Sequence, residues 1–197
     1  MTLIFATNND HKVKEIRYAV GDRFEILTLK EAGIFQEIPE PHPTLEANAT
    51  EKSTTIYRLT NTNCFSEDSG LETEALNGEP GVRSARYAGD GSSADDNMDL
   101  LLDNLDAVSN RRARFRTIIS LIIDGNEYLF EGTCPGQITK TRRGGGGFGY
   151  DPIFIPDGAS KTFGEMDLRE KDQYSHRAKA TAKLVAFLNN LQPKPGN

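Results

Sequence analysis

The chain has 197 residues, enough for one domain to bury a hydrophobic core without disulfide or metal staples. Its net charge of −6 and isoelectric point near 5.2 argue against broad binding to a nucleic-acid backbone, which needs a dominant positive face. Cys64 and Cys134 lack the short spacing of a zinc site, and we expect buried thiols. With no signal sequence at its start and no membrane-spanning apolar run, the chain is predicted to be soluble and cytoplasmic.

The first half of the chain alternates strands and helices. Residues 3–6 predict a short buried strand, and a helix is expected from about Asp10 after a polar turn. A second strand is predicted over residues 24–29, followed by a helix over residues 44–60 that Thr44 caps. A third strand then leads to a pair of acids.

The second half is richer in strands. Residues 71–76 are expected to continue the sheet, and Ser92 or Ser93 to cap a helix. Residues 113–123 and 128–130 predict a hairpin that turns at Asp124-Gly125. A glycine run leads to a strand at residues 153–155, and a final helix follows Ser175. We find no internal boundary and predict a single domain over residues 1–197, with an end of about five residues frayed.

Two adjacent acids, Glu67 and Asp68, follow an apolar run and precede a glycine. Adjacent carboxylates repel each other, so a fold keeps them together only if water, cations or a metal ion neutralise them. A surface turn would hold the same pair at no cost. The pair therefore predicts either a cation site or an exposed turn.

The turn from Thr7 to Lys12 stands between the first strand and the first helix. Free amide groups and the positive end of the helix dipole attract anions at such a turn, and Lys12 adds a full charge. The alternative interpretation is ordinary capping of the helix by Asn9 or Asp10.

The glycine run at residues 144–149 lacks the Lys-Ser or Lys-Thr of a phosphate-binding P-loop and leads into a strand instead of a helix. Phe148 and Tyr150 offer flat faces that suit the stacking of a nucleobase, and Asp151 can accept a hydrogen bond from a base or ribose. The alternative is a flexible loop with one core aromatic residue.

Lys171, His176 and Arg177 cluster near the start of the last helix, where their donors suit phosphate oxygens or a base carbonyl. A solvated helix face is the alternative. The histidines show no metal-ligand spacing, and no serine or cysteine has an evident catalytic partner. Hydrolysis by carboxylates and a metal ion is the chemistry that remains.

Taken together, the motifs resemble those of the inosine triphosphate pyrophosphatases, which hydrolyse noncanonical purine nucleoside triphosphates such as dITP, ITP and XTP. The resemblance spans nearly the whole chain, and its specificity comes from the order and spacing of the segments. These are Ala6-Thr7-Asn8-Asn9 with Lys12 and Glu15, Asn48-Ala49 with Lys52, Glu67-Asp68-Ser69-Gly70-Leu71, Pro80-Gly81 with Ser84-Ala85-Arg86-Tyr87, Gly147-Phe148-Gly149-Tyr150-Asp151-Pro152, and Ser175-His176-Arg177.

The resemblance implies an α/β fold with an elongated mixed β-sheet flanked by helices, a homodimer, a Mg²⁺ requirement, and cleavage to the monophosphate plus pyrophosphate. It makes Asp68 the catalytic base and a metal ligand, with Glu67 as a second ligand. The substrate-binding residues that it implies are Thr7, Asn8, Asn9, Asp10, His11, Lys12, Lys52, Ser69, Phe148, Gly149, Tyr150, Asp151, Lys171, His176 and Arg177.

One position departs from the resemblance. The family commonly places a metal-binding glutamate directly before the Asn-Ala pair, where this chain has Ala47, with Glu46 one residue earlier. One step along a helix rotates a side chain by about 100°, so Glu46 reaches the same metal only after adjustment. We predict Glu46 as the substitute metal ligand.

The mechanism that this suggests is attack of water on the α-phosphorus. Asp68 would activate the water, and Mg²⁺, Lys12 and Lys52 would hold the charge of the leaving pyrophosphate. Donors near His176 and Arg177 would favour the 6-oxo group of hypoxanthine or xanthine over the 6-amino group of adenine. Three alternatives stay open at this point: a nucleotide sensor without turnover, a pyrophosphatase for modified pyrimidine triphosphates, and a structural protein.

Overall fold

The structure, a computed structural model, describes residues 1–191, and the predicted frayed end lies outside the described residues. The helices are α1 (Asp10–Val20), α2 (Leu45–Thr60), α3 (Ala94–Asn104), α4 (Leu168–Asp172) and α5 (His176–Leu191). The strands are β1 (Thr2–Phe5), β2 (Glu25–Thr28), β3 (Cys64–Thr73), β4 (Pro80–Gly81), β5 (Arg112–Ile123), β6 (Asn126–Ile138) and β7 (Phe154–Pro156). Among these helices, none is long and apolar enough to cross a membrane.

In the described part of the chain, the strands form a mixed seven-stranded sheet in the order β2-β1-β3-β5-β6-β7, with β4 paired to β3. Strand β1 runs parallel to β2 and to β3, whereas β4 is antiparallel to β3 and β7 is antiparallel to β6. The mixed sheet with helices confirms the predicted α/β class. Strands β3, β5 and β6 each contribute residues to both of the compact units into which the chain divides.

The first unit contains residues 1–68, 118–132 and the segment that begins at Arg177. Its strands alternate between two hydrophobic clusters because successive side chains of a strand point to opposite faces. Leu3, Phe5 and Phe65 pack with apolar residues of α1 and α5, and Ile4 and Cys64 pack with residues that include Ile56 of α2. In this unit α1 and α5 therefore cover one face of the sheet and α2 covers the other.

The second unit contains residues 69–117 and 133–176. Its core joins Leu101 and Leu105 of α3 to Phe115 of β5 and to Phe154 and Phe163. The Phe115 and Phe154 rings meet edge to face with centroids 4.7 Å apart, a favourable arrangement of aromatic rings. This core supports the segment that carries the glycine run.

Short-range sequence signals predicted two helix caps and one hairpin turn correctly. The Thr44 and Ser93 side chains each accept a hydrogen bond from the first turn of the helix that follows, which satisfies amides that would otherwise lack partners. Asp124 and Gly125 both have positive φ, as a type I′ hairpin turn requires. The sheet continues only to Thr73, after which residues 74–76 form a short 3-10 helix.

Candidate active site

The acid pair lies inside strand β3, where the Glu67 residue is 1% exposed and Asp68 is 6% exposed. This burial excludes the surface-turn alternative. Because side chains alternate along a strand, Glu67 shares the face of Phe65, covered by α1 and α5, and Asp68 shares the face of Cys64, covered by α2. The two carboxylates are adjacent in sequence but are neutralised on opposite faces.

Asp68 is held by helix α2. The Asn48 amide donates to Asp68 Oδ2 at 3.2 Å, and Lys52 Nζ lies 3.6 Å from Asp68 Oδ1. Burial raises the pKa of Asp68, the charge of Lys52 opposes this rise, and the charge of Glu40 adds to it. Asn48 and Lys52 come from one face of α2 because residues four apart in a helix are neighbours.

Sequence reasoning missed Glu40. Its carboxylate accepts a hydrogen bond from Lys52 Nζ, so Lys52 is paired with both Glu40 and Asp68. Glu40 lies in the irregular segment between β2 and α2, where no periodic pattern marks it. The one sequence signal for Glu40 was its position as an acidic residue shortly before a helix with two predicted site residues.

Glu67 lies in an ion network on the other face. Arg177 donates from Nε to Glu67 Oε2 at 2.7 Å and from Nη2 to Oε1 at 2.9 Å, and Lys12 Nζ lies 3.1 Å from Oε1. Burial by itself would raise the pKa of Glu67, but the charges of Arg177 and Lys12 outweigh it and lower the pKa. Arg177 Nη1 also donates to Glu15, a motif residue to which the sequence assigned no role.

In the turn before α1, Asn9 is the helix cap: its side chain accepts from the Lys12 amide at 3.1 Å, and its own amide donates to the Thr7 hydroxyl at 3.2 Å. Asn8, Asp10 and His11 are exposed there. The capping interpretation is thus confirmed. It leaves the anion-binding prediction standing, since the Lys12 side chain remains 17% exposed.

The second unit gathers another set of predicted residues. Lys171 Nζ lies 2.6 Å from Asp151 Oδ2, with both side chains buried, and it stands 5.0 Å above the centre of the Phe148 ring. Asp151 also accepts from the Phe148 amide at 2.9 Å. His176 is buried and stacks on Phe115, with ring centroids 4.6 Å apart. Since Lys171, His176 and Arg177 are all buried, the solvated-face alternative is excluded.

Ser69, Gly149 and Glu46 are three further residues that the sequence predicts for the site. Ser69 Oγ lies 2.6 Å from Thr117 Oγ1, and Gly149 has the positive φ that glycine tolerates. Glu46 is partly buried in the first turn of α2. Its role as a substitute metal ligand stays a prediction.

Tyr150 belongs to the core of the second unit, with 4% of its surface exposed. Its hydroxyl donates to the Ser84 carbonyl at 2.8 Å, and burial raises the pKa of that hydroxyl. It is therefore the core aromatic residue of the glycine segment, while the partly exposed Phe148 has the more accessible ring.

We expect Tyr150→Phe to lower the free energy of unfolding by about 1 kcal/mol, because it leaves the Ser84 carbonyl without this donor. Urea unfolding monitored by circular dichroism measures the change. Tyr128→Phe, at a partly buried tyrosine of β6, is the matched control and should have a smaller effect. Equal stability of the Tyr150→Phe protein and the wild type would show that the hydrogen bond contributes nothing.

The described residues contain no group of three or more His, Cys, Asp or Glu side chains that could enclose a metal ion. Mg²⁺ usually keeps several waters and binds one or two carboxylates together with substrate phosphates. Asp68 and Glu40, joined at Lys52, fit such a site. Glu67 fits it less well because cations occupy both of its oxygens.

Comparison with known proteins then decides the family. The sequence profile described as the Ham1 family matches residues 3–187. The chain belongs to the Ham1 family. Relatives in this family include proteins named dITP/XTP pyrophosphatase from Porphyromonas gingivalis, 49% identical over 94% of this chain and 96% of the relative, and from Flavobacterium johnsoniae, 45% identical over 95% and 98%.

Solved structures of Ham1 proteins confirm the fold. The Staphylococcus aureus Ham1 protein has a TM-score of 0.88 and 36% identity, covering 98% of this chain and 100% of that one. The Coxiella burnetii HAM1 protein has a TM-score of 0.88 and 32% identity, covering 96% and 99%. Ham1 membership thus agrees with the family that the motifs indicate.

Proposed function

We propose that this chain hydrolyses noncanonical purine nucleoside triphosphates of the dITP and XTP class to the monophosphate and pyrophosphate. Its Ham1-family relatives named dITP/XTP pyrophosphatase support the substrate class. The observation that carries the proposal is the buried Asp68 carboxylate, held by Asn48 and Lys52, with Glu40 on the same lysine. Buried carboxylates with shifted pKa values are concentrated at functional sites.

In the proposed reaction, the carboxylates and the lysines of the site have different roles. Asp68 and Glu40 would hold Mg²⁺, which supplies charge neutralisation to the triphosphate and its leaving group. Asp68 takes the proton of the attacking water, and its raised pKa suits it to that task. Lys52 and Lys12 hold the negative charge that develops on the departing pyrophosphate.

We assign purine recognition to Phe148 and the residues around it. The Phe148 ring is partly exposed and lies beneath Lys171, whose position Asp151 fixes. A base can stack on this ring, and ring stacking contributes about 1–3 kcal/mol per base. Donors near His176 favour a 6-oxo purine, because a 6-amino group would leave them unpaired.

Phe148→Leu is expected to raise KM for dITP about 10- to 100-fold with little change in kcat, since stacking on the flat face is lost and the acid site is intact. Steady-state kinetics over a range of dITP concentrations measure both constants. Phe148→Tyr keeps the ring and is the matched control, expected to resemble the wild type. A Phe148→Leu enzyme with unchanged KM would remove Phe148 from the base site.

The proposed function is tested by measuring pyrophosphate release from dITP, XTP, dATP, dGTP, dUTP and dTTP, with Mg²⁺ and with a chelator. We expect metal-dependent release that is fastest from dITP and XTP. Faster turnover of dUTP would support the pyrimidine alternative. Tight dITP binding without any release would support the sensor, and neither binding nor release would support a structural role.

Two wider predictions accompany this proposal. The homodimer stays a prediction, and light scattering after size-exclusion chromatography measures it. The cytoplasmic location likewise stays a prediction that cell fractionation can test.

A further inference from the structure

The Glu67 carboxylate is buried and paired with two cations. Its side chain is 0% exposed, and Arg177 binds it with two parallel hydrogen bonds of 2.7 and 2.9 Å. Lys12 Nζ approaches the same carboxylate at 3.1 Å. Bidentate contacts of this kind fix both the distance and the plane of the guanidinium group, so they are suited to holding a side chain in one orientation.

The network joins three elements of the first unit. Glu67 lies on β3, Lys12 lies on α1, and Arg177 lies on α5 and also contacts Glu15 of α1. Two carboxylates and two cations balance in charge. Lys12 is the most exposed member, with 17% of its side chain accessible, whereas 2% of the Arg177 side chain is accessible.

The Glu67 side chain points to a different face of the sheet from that of Asp68. Asp68 points to the α2 face, where Asn48 and Lys52 hold it, and Glu67 points to the face of α1 and α5. A metal ligand needs an oxygen lone pair directed at the ion. The oxygens of Glu67 are instead directed at Arg177 and Lys12.

We propose that Glu67 is a positioning residue, not a metal ligand: fixed by the buried Arg177 guanidinium, it holds the Lys12 ammonium in place for the triphosphate substrate. This inference rests on the proposed function, in which Lys12 meets the phosphates. Lys12 has a long, flexible side chain, and pairing with a fixed buried carboxylate restricts its rotamers before substrate arrives. The accessible part of Lys12 then remains for the substrate.

The test compares Glu67→Gln with Asp68→Asn, since both substitutions keep the shape of the side chain and remove one charge. Mn²⁺ binding to the free protein is measured by electron paramagnetic resonance, a readout that needs no turnover. We expect Glu67→Gln to keep the Mn²⁺ affinity within about 2-fold, whereas Asp68→Asn loses at least about 10-fold. A loss in Glu67→Gln equal to that in Asp68→Asn would overturn the proposal.

A second arm measures dITP binding by calorimetry in Ca²⁺, with Glu67→Gln, Lys12→Met and the double variant. Positioning predicts that each single substitution weakens binding at least about 10-fold and that the double variant is hardly weaker than either, because both remove the same contact. If the double variant loses dITP affinity by the product of the two single losses, the two residues act independently and the proposal is overturned. This arm decides the question if the wild-type protein binds no Mn²⁺ on its own.

Folding of the variants is checked separately, because removing one partner of a buried ion pair is destabilising. If Glu67→Gln does not fold, Glu67→Asp replaces it: a shorter carboxylate keeps the charge but moves away from Lys12 and Arg177. Weakened dITP binding with unchanged Mn²⁺ affinity is again the expected result, and the reverse would overturn the proposal. If the wild type binds dITP and does not cleave it, the proposed function fails while both binding arms still report on Glu67.

Discussion

Asp68→Asn is expected to lower kcat for dITP about 100- to 10,000-fold, the range that general base catalysis contributes. Asparagine keeps the size of the side chain and can still meet the Asn48 amide, but it cannot take a proton from water. Lys52 keeps its pairing with Glu40, so the buried cation is not left without a carboxylate. Steady-state kinetics at saturating dITP and Mg²⁺ measure the loss.

Asp157→Asn is the matched control, since it makes the same chemical change at an exposed carboxylate that pairs with Arg112. Exposed pairs contribute about 1 kcal/mol or less, so this variant should fold and turn over like the wild type. Circular dichroism must show that the Asp68→Asn protein is folded. If it is folded and retains turnover within about 10-fold of the wild type, Asp68 is not the base.

Gly147→Ala is expected to lower the free energy of unfolding by about 3–5 kcal/mol, the cost of breaking a buried ion pair. A Cβ atom at Gly147 would lie 2.0 Å from Asp151 Oδ2 and 2.8 Å from its Cγ. The Asp151 carboxylate must then move away from Lys171 and from the Phe148 amide. Chemical denaturation measures stability, and the KM for dITP should rise as well because the Phe148 ring loses its support.

Gly149→Ala separates this collision from backbone strain. Gly149 has φ of 59° and Gly147 has φ of 72°, so alanine is strained at both positions, but a Cβ at Gly149 meets no atom within 4 Å. We expect a loss of about 1 kcal/mol at Gly149, the usual cost of a left-handed alanine. Equal losses in the two variants would mean that the collision with Asp151 is relieved without breaking its contacts.

The elements that sequence patterns predicted well are those governed by nearby residues. Sequence patterns predict Thr44, and either Ser92 or Ser93, as helix caps, and Thr44 and Ser93 accept hydrogen bonds from the turns that follow them. Asp124-Gly125 was predicted as a hairpin turn, and both residues have positive φ. These features depend on side-chain chemistry within about four residues, which a sequence displays directly.

Features that depend on distant partners were predicted less well. Glu40 lies in an irregular segment and becomes a site residue only because Lys52 of α2 reaches it. Tyr150 was considered for base stacking, but its ring is buried and its hydroxyl reaches Ser84, 66 residues earlier. No local pattern encodes contacts across such separations.

The pair Glu67 and Asp68 shows which features the sequence determines and which the tertiary structure decides. By itself, the sequence determined that Glu67 and Asp68 are adjacent and that they follow an apolar run. The tertiary structure placed both acids inside β3, where the two-residue period of a strand directs them to opposite faces. Only the tertiary structure decided that Arg177 and Lys12 neutralise the first acid, while Asn48 and Lys52 hold the second. The physical reason is that charge neutralisation depends on distance in space, and packing brings these cations to the strand from helices on its two faces.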